Sequence, residues 1–270
     1  LPALSLDTPV PPVPLNSTPV EQIDPNDLVE IIFTSGTTAE PRGVCLTHRN
    51  LLANLAPLEK EIQKYPGWER WFHPVRFLNL VPLSHVFGQF MAVLVPPLLK
   101  SEVHFQSGMN PGEVIETVKT KRITVIVTVP RFLESLKEKL ERELDIDRIA
   151  AKLDGSFLQR VWHARRVHQR FGWKFWAFVS GGATLPARAE VFWRNLGFAV
   201  VQGYGMTELS PVSHATNPDD RSVPAGSVGK PVANTECRII DVATGEDMGV
   251  DVTGELLVRG PQVMRGYLGH

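Results

Sequence analysis

Short apolar segments alternate with amphipathic ones over most of the chain, and this alternation restricts the fold more than any other feature of the sequence. Four segments are typical of strands: LVEIIF, which is predicted to be buried, and RFLNLVPL, RITVIVTV and FAVVQGYG. Helical spacing is found between them, as in GEVIETVKT, which follows the helix-start residues Asn110 and Pro111. A repeated strand–helix–strand order predicts a parallel sheet with helices on its faces, because parallel strands need crossover connections.

The composition changes at both ends of this region, which predicts three segments. Residues 1–26 contain seven prolines among small and polar residues and are expected to form an extended arm. Residues 27–225 form the predicted α/β core, and residues 226–270 contain short strand patterns separated by Gly, Pro and Asp turns. The expected fold class is α/β, with a parallel or mixed sheet and flanking helices, followed by a small antiparallel β subdomain.

Charge and hydropathy argue against two classes of protein. The 28 basic and 29 acidic residues nearly cancel, so the overall charge does not indicate a nucleic-acid binder. No apolar run approaches the roughly 20 residues needed to span a bilayer, and there is no N-terminal signal pattern. The cysteines Cys45 and Cys237 lie in apolar stretches without metal-ligand spacing. We expect free thiols and a cytoplasmic protein, with a disulfide as the alternative.

The segment TSGTTAEPRG follows the first predicted strand and is rich in hydroxyls and glycine. Ligands bind beyond the carboxyl ends of the strands in α/β sheets, glycine lets backbone N–H groups approach an anion, and arginine suits phosphate oxygens. The segment therefore predicts a phosphate-binding loop, and a turn that satisfies its own backbone is the alternative. A P-loop is excluded because Gly43 is followed by Val44 and Cys45, where that motif requires Lys and then Ser or Thr.

This loop resembles the signature loop of the adenylate-forming (AMP-binding) superfamily, which includes acyl-CoA synthetases, nonribosomal peptide adenylation domains and beetle luciferases. Four further segments match family motifs in the same order: LVPLSHVFG, VSGGATLP, QGYGMTELSP and GELLVRGPQVMRGY. In their residues, these segments are most similar to the motifs of medium- or long-chain fatty acyl-CoA synthetases. The resemblance covers the chain from Ile31 to Tyr267 and implies the superfamily's large N-terminal domain.

The resemblance implies that ATP and a fatty acid form an acyl-adenylate, which then forms a thioester with coenzyme A. A carboxylate is ionised at neutral pH, so the first step needs positioning and charge neutralisation rather than a general base. The implied catalytic residues are His85 beside the acyl carboxylate, Thr207 at the α-phosphate and Glu208 as the Mg²⁺ ligand. The implied cofactor-binding residues are Thr34, Ser35, Gly36, Thr37, Thr38, Arg42, Gly181, Gly182, Ala183, Gln202, Gly203, Tyr204 and Gly205.

Several of these residues also have a structural interpretation. SGGATLP could be a strand-to-helix turn capped by Thr184, Tyr204 could be a half-buried aromatic residue, and His85 could be a helix cap. The family usually has Gly at position 39 and Lys at position 42, where this chain has Ala and Arg. A further expectation is that Gly88, Gln89 and Met91 line the acyl tunnel.

Three alternatives concern the whole protein. The acyl acceptor could be an acyl carrier protein, or the chain could be a non-catalytic nucleotide-binding module. The chain begins at Leu1 and ends at His270, before the family's TGD motif, hinge Arg and C-terminal Lys, so we expect a fragment with little activity alone. The stretch QRVWHARRVHQRFGWKFW combines basic and aromatic residues at helical spacing. This pattern predicts a helix with one solvated face and with its aromatic residues in the core. The alternative is that the helix contacts an anionic membrane surface.

Overall fold

The structure is a computed structural model, and it describes residues 22–34, 40–63, 74–144, 162–220 and 222–269. Its strands are β1 (Leu28–Thr34), β2 (Arg42–Thr47), β3 (Arg76–Asn79), β4 (Glu102–Phe105), β5 (Val125–Thr128), β6 (Ala177–Ser180), β7 (Ala199–Tyr204), β8 (His214–Ala215), β9 (Lys230–Pro231), β10 (Glu236–Ile240), β11 (Glu255–Arg259) and β12 (Gly266–Tyr267). Its α-helices are α1 (His48–Gln63), α2 (Val86–Gln89), α3 (Val95–Leu98), α4 (Pro111–Thr120), α5 (Pro130–Glu143), α6 (Arg165–Phe171) and α7 (Ala187–Asn195).

The predicted α/β sheet is confirmed. Seven strands form one sheet in the order β4-β3-β5-β6-β7-β8-β9. The first five are parallel, while β8 and β9 add to the edge in antiparallel fashion. The carboxyl ends of β3, β5, β6 and β7 therefore lie at the same end of the sheet, and three of the five family motifs follow β3, β6 and β7 there.

Both faces of the sheet are covered by helices, which explains why its central strands have buried apolar residues on both faces. On one face, Leu78, Ile126 and Phe178 pack against α4, α5, α6 and α7. On the other face, Phe77 and Val125 pack against the helical segment that follows β3. Adjacent residues of one strand thus lie in different cores, as the alternation of side chains along a strand requires.

Helix boundaries agree with the local signals. The Asn110 side chain accepts from Gly112 N at 2.8 Å and caps α4, and Thr47 Oγ1 accepts from Asn50 N at 3.3 Å at the start of α1. The helix predicted in QRVWHARRVHQRFGWKFW is seen as α6, which begins at Arg165, and residues 145–161 lie outside the described part. No helix of the described ranges is long and apolar enough to cross a membrane.

The helical segment after β3 contains a π-helical turn, Phe90–Leu94, between α2 and α3. Val95 N donates to Phe90 O, five residues earlier. The next two residues, Pro96 and Pro97, have no N–H group and cannot restore the ordinary i to i−4 bonds at this point.

Two small antiparallel sheets accompany the large one. β10 pairs with β11, as the short strand patterns predicted, and β1, β2 and β12 form a three-stranded sheet. β12 thus links the end of the chain to the strand that follows the predicted phosphate loop. The division at residues 26 and 225 stays a prediction.

The prediction that LVEIIF is a buried strand is wrong in its burial. The strand forms, but Phe33 is 63% exposed and Leu28 is 44% exposed, and Ile32 is the one buried member. β1 lies at the edge of the three-stranded sheet, with β2 as its partner. An apolar run alone cannot distinguish such an edge strand from a central strand of a large sheet.

The aromatic residues around α6 also differ from the prediction, which placed them in the core. Trp162 is 67% exposed and Trp173 is 61% exposed. Trp162 lies under the guanidinium of Arg165 at 5.2 Å, and Trp173 stacks on His168 at 5.6 Å. Phe171 fills the core position of this helix instead.

Both cysteines are free thiols. Cys45 is buried in β2, and Cys237 is half-buried in β10, where burial raises the pKa of its thiol. The expectation of free thiols is confirmed, and the disulfide alternative is contradicted.

Candidate functional site

The β1–β2 hairpin presents the basic end of the predicted phosphate loop. Thr34 and Arg42 are opposite each other in the ladder, and Thr34 Oγ1 donates to Arg42 O at 3.5 Å. A Cβ on Gly43 would lie 3.0 Å from Ile31 Cγ2, so any larger residue here would push the side chains of β1 aside. The remaining predicted loop residues lie outside the described residues, namely Ser35, Gly36, Thr37 and Thr38.

The turn after β7 holds the predicted adenine-stacking residue, Tyr204. A Cβ on Gly205 would lie 2.0 Å from Pro211 O, so this turn can be made only without a side chain. Ser213 N donates to Tyr204 O at 2.9 Å, and the His214 ring meets the Tyr204 ring edge-on at 5.8 Å. The half-buried ring is therefore held from its backbone and from one edge. Burial lowers the pKa of His214, which favours the neutral imidazole.

The 3₁₀ turn Thr207–Leu209 carries the predicted Thr207 and Glu208, and it is bound from two sides. Met264 N donates to Glu208 O at 2.8 Å. Asn54 Nδ2, on α1, donates to Leu209 O at 3.0 Å and to Ser210 O at 2.8 Å. The chain segment with the predicted metal ligand is thus attached to the residues just before β12 and to α1.

Asn50 makes a similar connection one turn earlier on α1. Its Nδ2 donates to Pro261 O at 2.9 Å and to Val263 O at 2.8 Å. Asn50 and Asn54 are buried, and together they attach two separate motifs to one helix. Our sequence reasoning missed this role, although two amides at i and i+4 in a helix that follows a motif are a usable signal.

The side chains of Glu208 and Arg42 meet at Tyr267. The Tyr267 hydroxyl donates to Glu208 Oε1 at 2.8 Å, and Arg42 Cζ lies 5.4 Å from the centre of the Tyr267 ring. The hydrogen bond to the Glu208 carboxylate, together with burial, raises the pKa of Tyr267, and the charge of Arg42 opposes this shift. Three motifs that are far apart in the sequence therefore converge on one tyrosine.

Gln202 belongs to a buried polar network rather than to an open surface. Its Nε2 donates to Glu190 Oε2 at 2.9 Å, and Gly226 N donates to the same oxygen at 2.8 Å. Arg194 Nη1 donates to Glu190 Oε1 at 3.1 Å. Glu190 is 3% exposed, and this carboxylate joins α7 to β7 and to the loop before β9. The neighbouring Gly203 has space around it, since a Cβ there would meet its nearest atom at 3.9 Å.

The glycines after β6 differ from each other in environment. Gly181 is buried against the Phe87 ring, which a Cβ would meet at 3.0 Å, while Gly182 and Ala183 are exposed. Gly182 has φ +81°, a conformation that favours glycine. The alternative of a turn capped by Thr184 is contradicted, because α7 begins after Pro186 and no side chain caps it.

His85 is exposed immediately before α2, at the carboxyl end of β3. Its side chain makes no capping hydrogen bond, so the alternative of a structural cap is contradicted. A Cβ on Gly88 would lie 2.3 Å from Pro82 O, which explains the glycine by close backbone approach. Gln89 Nε2 donates to Leu83 O at 2.9 Å, while Met91 lies buried in the core beneath this helix. That these three residues line an acyl tunnel stays a prediction.

Two buried hydroxyls at the same sheet edge escaped our sequence reasoning. Thr128 and Ser180 end β5 and β6 and are opposite each other in the ladder. Their side-chain oxygens are buried and have no hydrogen-bond partner among the described residues. Unpaired buried polar atoms are uncommon in folded proteins, so these hydroxyls are candidates for binding a ligand. The available signal was a hydroxyl residue at the end of each of two consecutive parallel strands.

The donor set suits Mg²⁺ only together with a phosphate-bearing substrate. The described residues contain no group of three or more His, Cys, Asp or Glu that could hold a metal ion. Mg²⁺ is commonly held by one or two carboxylates plus substrate phosphates. Glu208 fits this mode, because Oε1 accepts from Tyr267 and Oε2 has no hydrogen-bond partner within the described ranges.

A cavity lined by described residues lies elsewhere, between α4, α5 and α6. Its volume is about 570 Å³, and its basic lining includes Lys119, Lys139, Arg166 and Arg170. None of the predicted site residues lines it. The candidate site is therefore defined by its side chains at the sheet edge rather than by this cavity.

Comparisons with known proteins agree with these motifs. The probable acyl-activating enzyme 16 of Arabidopsis thaliana is 31% identical, over 92% of this chain and 39% of the relative. The long-chain-fatty-acid–CoA ligase of Bacillus subtilis is 29% identical, over 92% of this chain and 39% of the relative. The 4-coumarate–CoA ligase 2 of rice (Oryza sativa subsp. japonica) is 29% identical, over 93% and 40%. The chain thus spans about two fifths of the length of these relatives.

Solved structures match the fold. ATP-bound MatB from Rhodopseudomonas palustris superposes with a TM-score of 0.66 at 28% identity, over 90% of this chain and 42% of that one. The o-succinylbenzoate CoA synthetase of Bacillus subtilis superposes with a TM-score of 0.68 at 22% identity, over 92% and 43%. The family model described as AMP-binding enzyme matches residues 3–268. The chain therefore belongs to the AMP-binding enzyme family.

Proposed function

We propose that this chain is the nucleotide- and acid-binding part of a ligase that activates a medium- or long-chain fatty acid with ATP and passes the acyl group to coenzyme A. The observation that carries the proposal is the meeting of Arg42 and Glu208 at Tyr267. Arg42 is a permanent cation suited to phosphate oxygens, and Glu208 is a carboxylate suited to a phosphate-bound Mg²⁺. Attack of a carboxylate on a phosphate brings two anions together, and this charge must be neutralised.

The other residues of the site have complementary tasks. The exposed backbone of Gly182 and Ala183 and the ring of Tyr204 would hold the adenine. Thr207 would contact the α-phosphate, and His85 would orient the carboxylate of the acid. Mg²⁺, when bound, would supply positive charge to the phosphates, and Glu208 would hold it. No proton transfer to a protein base is needed, since the acid is already ionised.

The choice of a fatty acid as the substrate rests on two similarities. The residues of the motifs around His85 and Tyr204 support this choice, and so does the similarity to a long-chain-fatty-acid–CoA ligase. A related ligase is named for 4-coumarate, a smaller aromatic acid. The apolar helical segment 86–98 beside His85 favours a long acyl chain, whereas the unpaired hydroxyls of Thr128 and Ser180 favour a polar acid.

Calorimetric titration of the chain with non-hydrolysable acyl-adenylate analogues tests this proposal. We expect affinity to rise with acyl length from C4 to C16 and to exceed the affinity for a coumaroyl analogue. Tighter binding of the coumaroyl analogue would overturn the choice of a fatty acid. Absence of binding to every analogue by folded protein would overturn the site itself. The Thr184→Ala variant is a suitable control, because this exposed side chain caps no helix.

The acyl acceptor is tested separately. With the acyl-adenylate preloaded, release of AMP on addition of coenzyme A supports coenzyme A as acceptor. Release that needs an acyl carrier protein would favour the carrier protein. If neither thiol acts although the adenylate binds, this chain by itself binds the adenylate without carrying out the transfer.

A cytoplasmic protein with peripheral membrane contact is a second proposal, supported by the exposure of Trp162 and Trp173. Arg165 and Arg170 lie on the same helix, and exposed aromatic and basic residues together suit an anionic membrane surface. Retention on vesicles containing phosphatidylserine at low salt is expected, and its loss in a Trp162→Ala/Trp173→Ala variant. Equal retention by both proteins would contradict this contact.

A further inference from the structure

We propose that Tyr267 is a positioning residue that orients both the metal-binding carboxylate of Glu208 and the phosphate-binding guanidinium of Arg42. This inference rests on the proposed function, because it concerns how the same site binds ATP with Mg²⁺. Tyr267 itself would touch neither the substrate nor the reacting atoms.

The backbone holds Tyr267 between its two partners. β12 pairs with β2 so that Tyr267 is opposite Val44, and Leu268 N donates to Gly43 O at 2.7 Å. Two residues earlier than β12, Met264 N donates to Glu208 O at 2.8 Å. One short segment is therefore bonded to the strand that begins with Arg42 and to the turn that carries Glu208.

The hydroxyl of Tyr267 binds one carboxylate oxygen of Glu208 and leaves the other oxygen for a metal ion. Oε1 accepts the hydroxyl proton at 2.8 Å, and Oε2 has no partner in the described part of the chain. A carboxylate fixed by one oxygen presents the other in a defined direction, which lowers the entropy lost when a metal binds. Hydrogen-bond partners of ligating carboxylates commonly account for a 10–100-fold difference in metal affinity.

The ring of Tyr267 acts on Arg42 by a different interaction. Arg42 Cζ lies 5.4 Å from the ring centre, within the distance of a cation–π contact. Met264 and Tyr267 also pack against a small apolar cluster that includes Val44 and Leu46, so the ring has a fixed support. The hydroxyl donates to Glu208 and the ring lies under Arg42, so Tyr267→Phe removes the contact with Glu208 and keeps the ring, while Tyr267→Leu removes both.

The test measures the dissociation constant of ATP with Mg²⁺ and with EDTA, by calorimetry, and takes the ratio as the metal effect. For Tyr267→Phe we expect the metal effect to fall about tenfold, while metal-free ATP affinity changes less than about twofold because the ring remains. For Tyr267→Leu we expect metal-free affinity to fall as well, by about two- to fivefold. Leu268→Ala, on the same segment and 52% exposed, is the matched control.

A double-mutant comparison adds a second criterion. In a Glu208→Gln background, Tyr267→Phe should cause no further loss of the metal effect, since the two residues act through one contact. Urea unfolding of each variant shows whether β12 is intact, and Tyr267→Phe is expected to unfold like the wild type.

The outcomes separate this inference from the proposed function. A wild-type chain that binds ATP more tightly with Mg²⁺, with the same ratio in Tyr267→Phe, would overturn the role of Tyr267 alone. A fall in affinity for Tyr267→Phe that is equal with Mg²⁺ and with EDTA would indicate a merely structural residue and would also overturn it. A wild-type chain that binds no ATP under either condition would overturn the proposed function, and the role of Tyr267 with it.

Discussion

Substitution of Asn54 by alanine is expected to weaken both the fold and the site, because one amide group supports two backbone carbonyls of the turn after Glu208. Asn54 is 5% exposed, and Nδ2 donates to Leu209 O at 3.0 Å and Ser210 O at 2.8 Å. The Asn54→Ala variant therefore leaves two buried acceptors without their donor.

The expected loss of stability follows from the two carbonyl groups that lose their donor. Each buried carbonyl left without a partner costs about 1–3 kcal/mol, so two cost about 2–6 kcal/mol. Alanine recovers about 0.7 kcal/mol of helix propensity in α1, which leaves a net loss of about 1–5 kcal/mol. With a urea m value of about 3 kcal/mol/M, the midpoint of unfolding falls by about 1 M.

Urea unfolding followed by tryptophan fluorescence measures this shift, and two further variants calibrate it. Asn54→Asp has the same size but cannot donate, so it should lose at least as much stability as Asn54→Ala. Leu52→Ala lies on the same helix and is 56% exposed, so it should change stability by less than about 0.5 kcal/mol. An Asn54→Ala midpoint no lower than that of Leu52→Ala would refute the reasoning.

Two further predictions concern the turn after β7 and the response to acid. Gly205→Ala should destabilise the chain by at least about 1–3 kcal/mol, because its Cβ would lie 2.0 Å from Pro211 O, whereas a Cβ at Gly203 has 3.9 Å of space. Equal unfolding midpoints for Gly205→Ala and Gly203→Ala would contradict this. Burial lowers the pKa of His168, so the unfolded chain binds more protons below its ordinary pKa of about 6.5, and stability should fall as the pH drops through that value. His168→Gln, which can still donate to Leu196 O, should reduce the difference in urea midpoint between pH 7.5 and pH 5.5, and an unchanged difference would show that His168 is not responsible.

Local features of the fold were predictable because their interactions join neighbouring residues. The Asn110 cap of α4 and the Thr47–Asn50 contact at the start of α1 span two or three residues. Strand positions followed from apolar runs in the same way. The exposure of β1 was not predictable, since burial depends on which element covers a strand, and a single apolar run does not contain that information.

The candidate site was predictable in its residue types and only partly in its geometry. Arg42, Tyr204 and Glu208 were identified by motifs, because each motif is a short run of residues. The amides of Asn50 and Asn54 and the hydroxyls of Thr128 and Ser180 were missed, because their partners or neighbours come from distant parts of the chain.

By itself, the sequence determined the alternation of strands and helices, the glycines that permit tight turns, and the residues able to bind phosphate and metal. Only the tertiary structure decided that Arg42 and Glu208 share Tyr267, and that α1 holds the turn after Glu208. Glu208 and Tyr267 are 59 residues apart, and Asn54 and Leu209 are 155 apart. Contacts at such separations arise only when packed strands and helices bring distant segments together, because the entropy of the free chain opposes each of them.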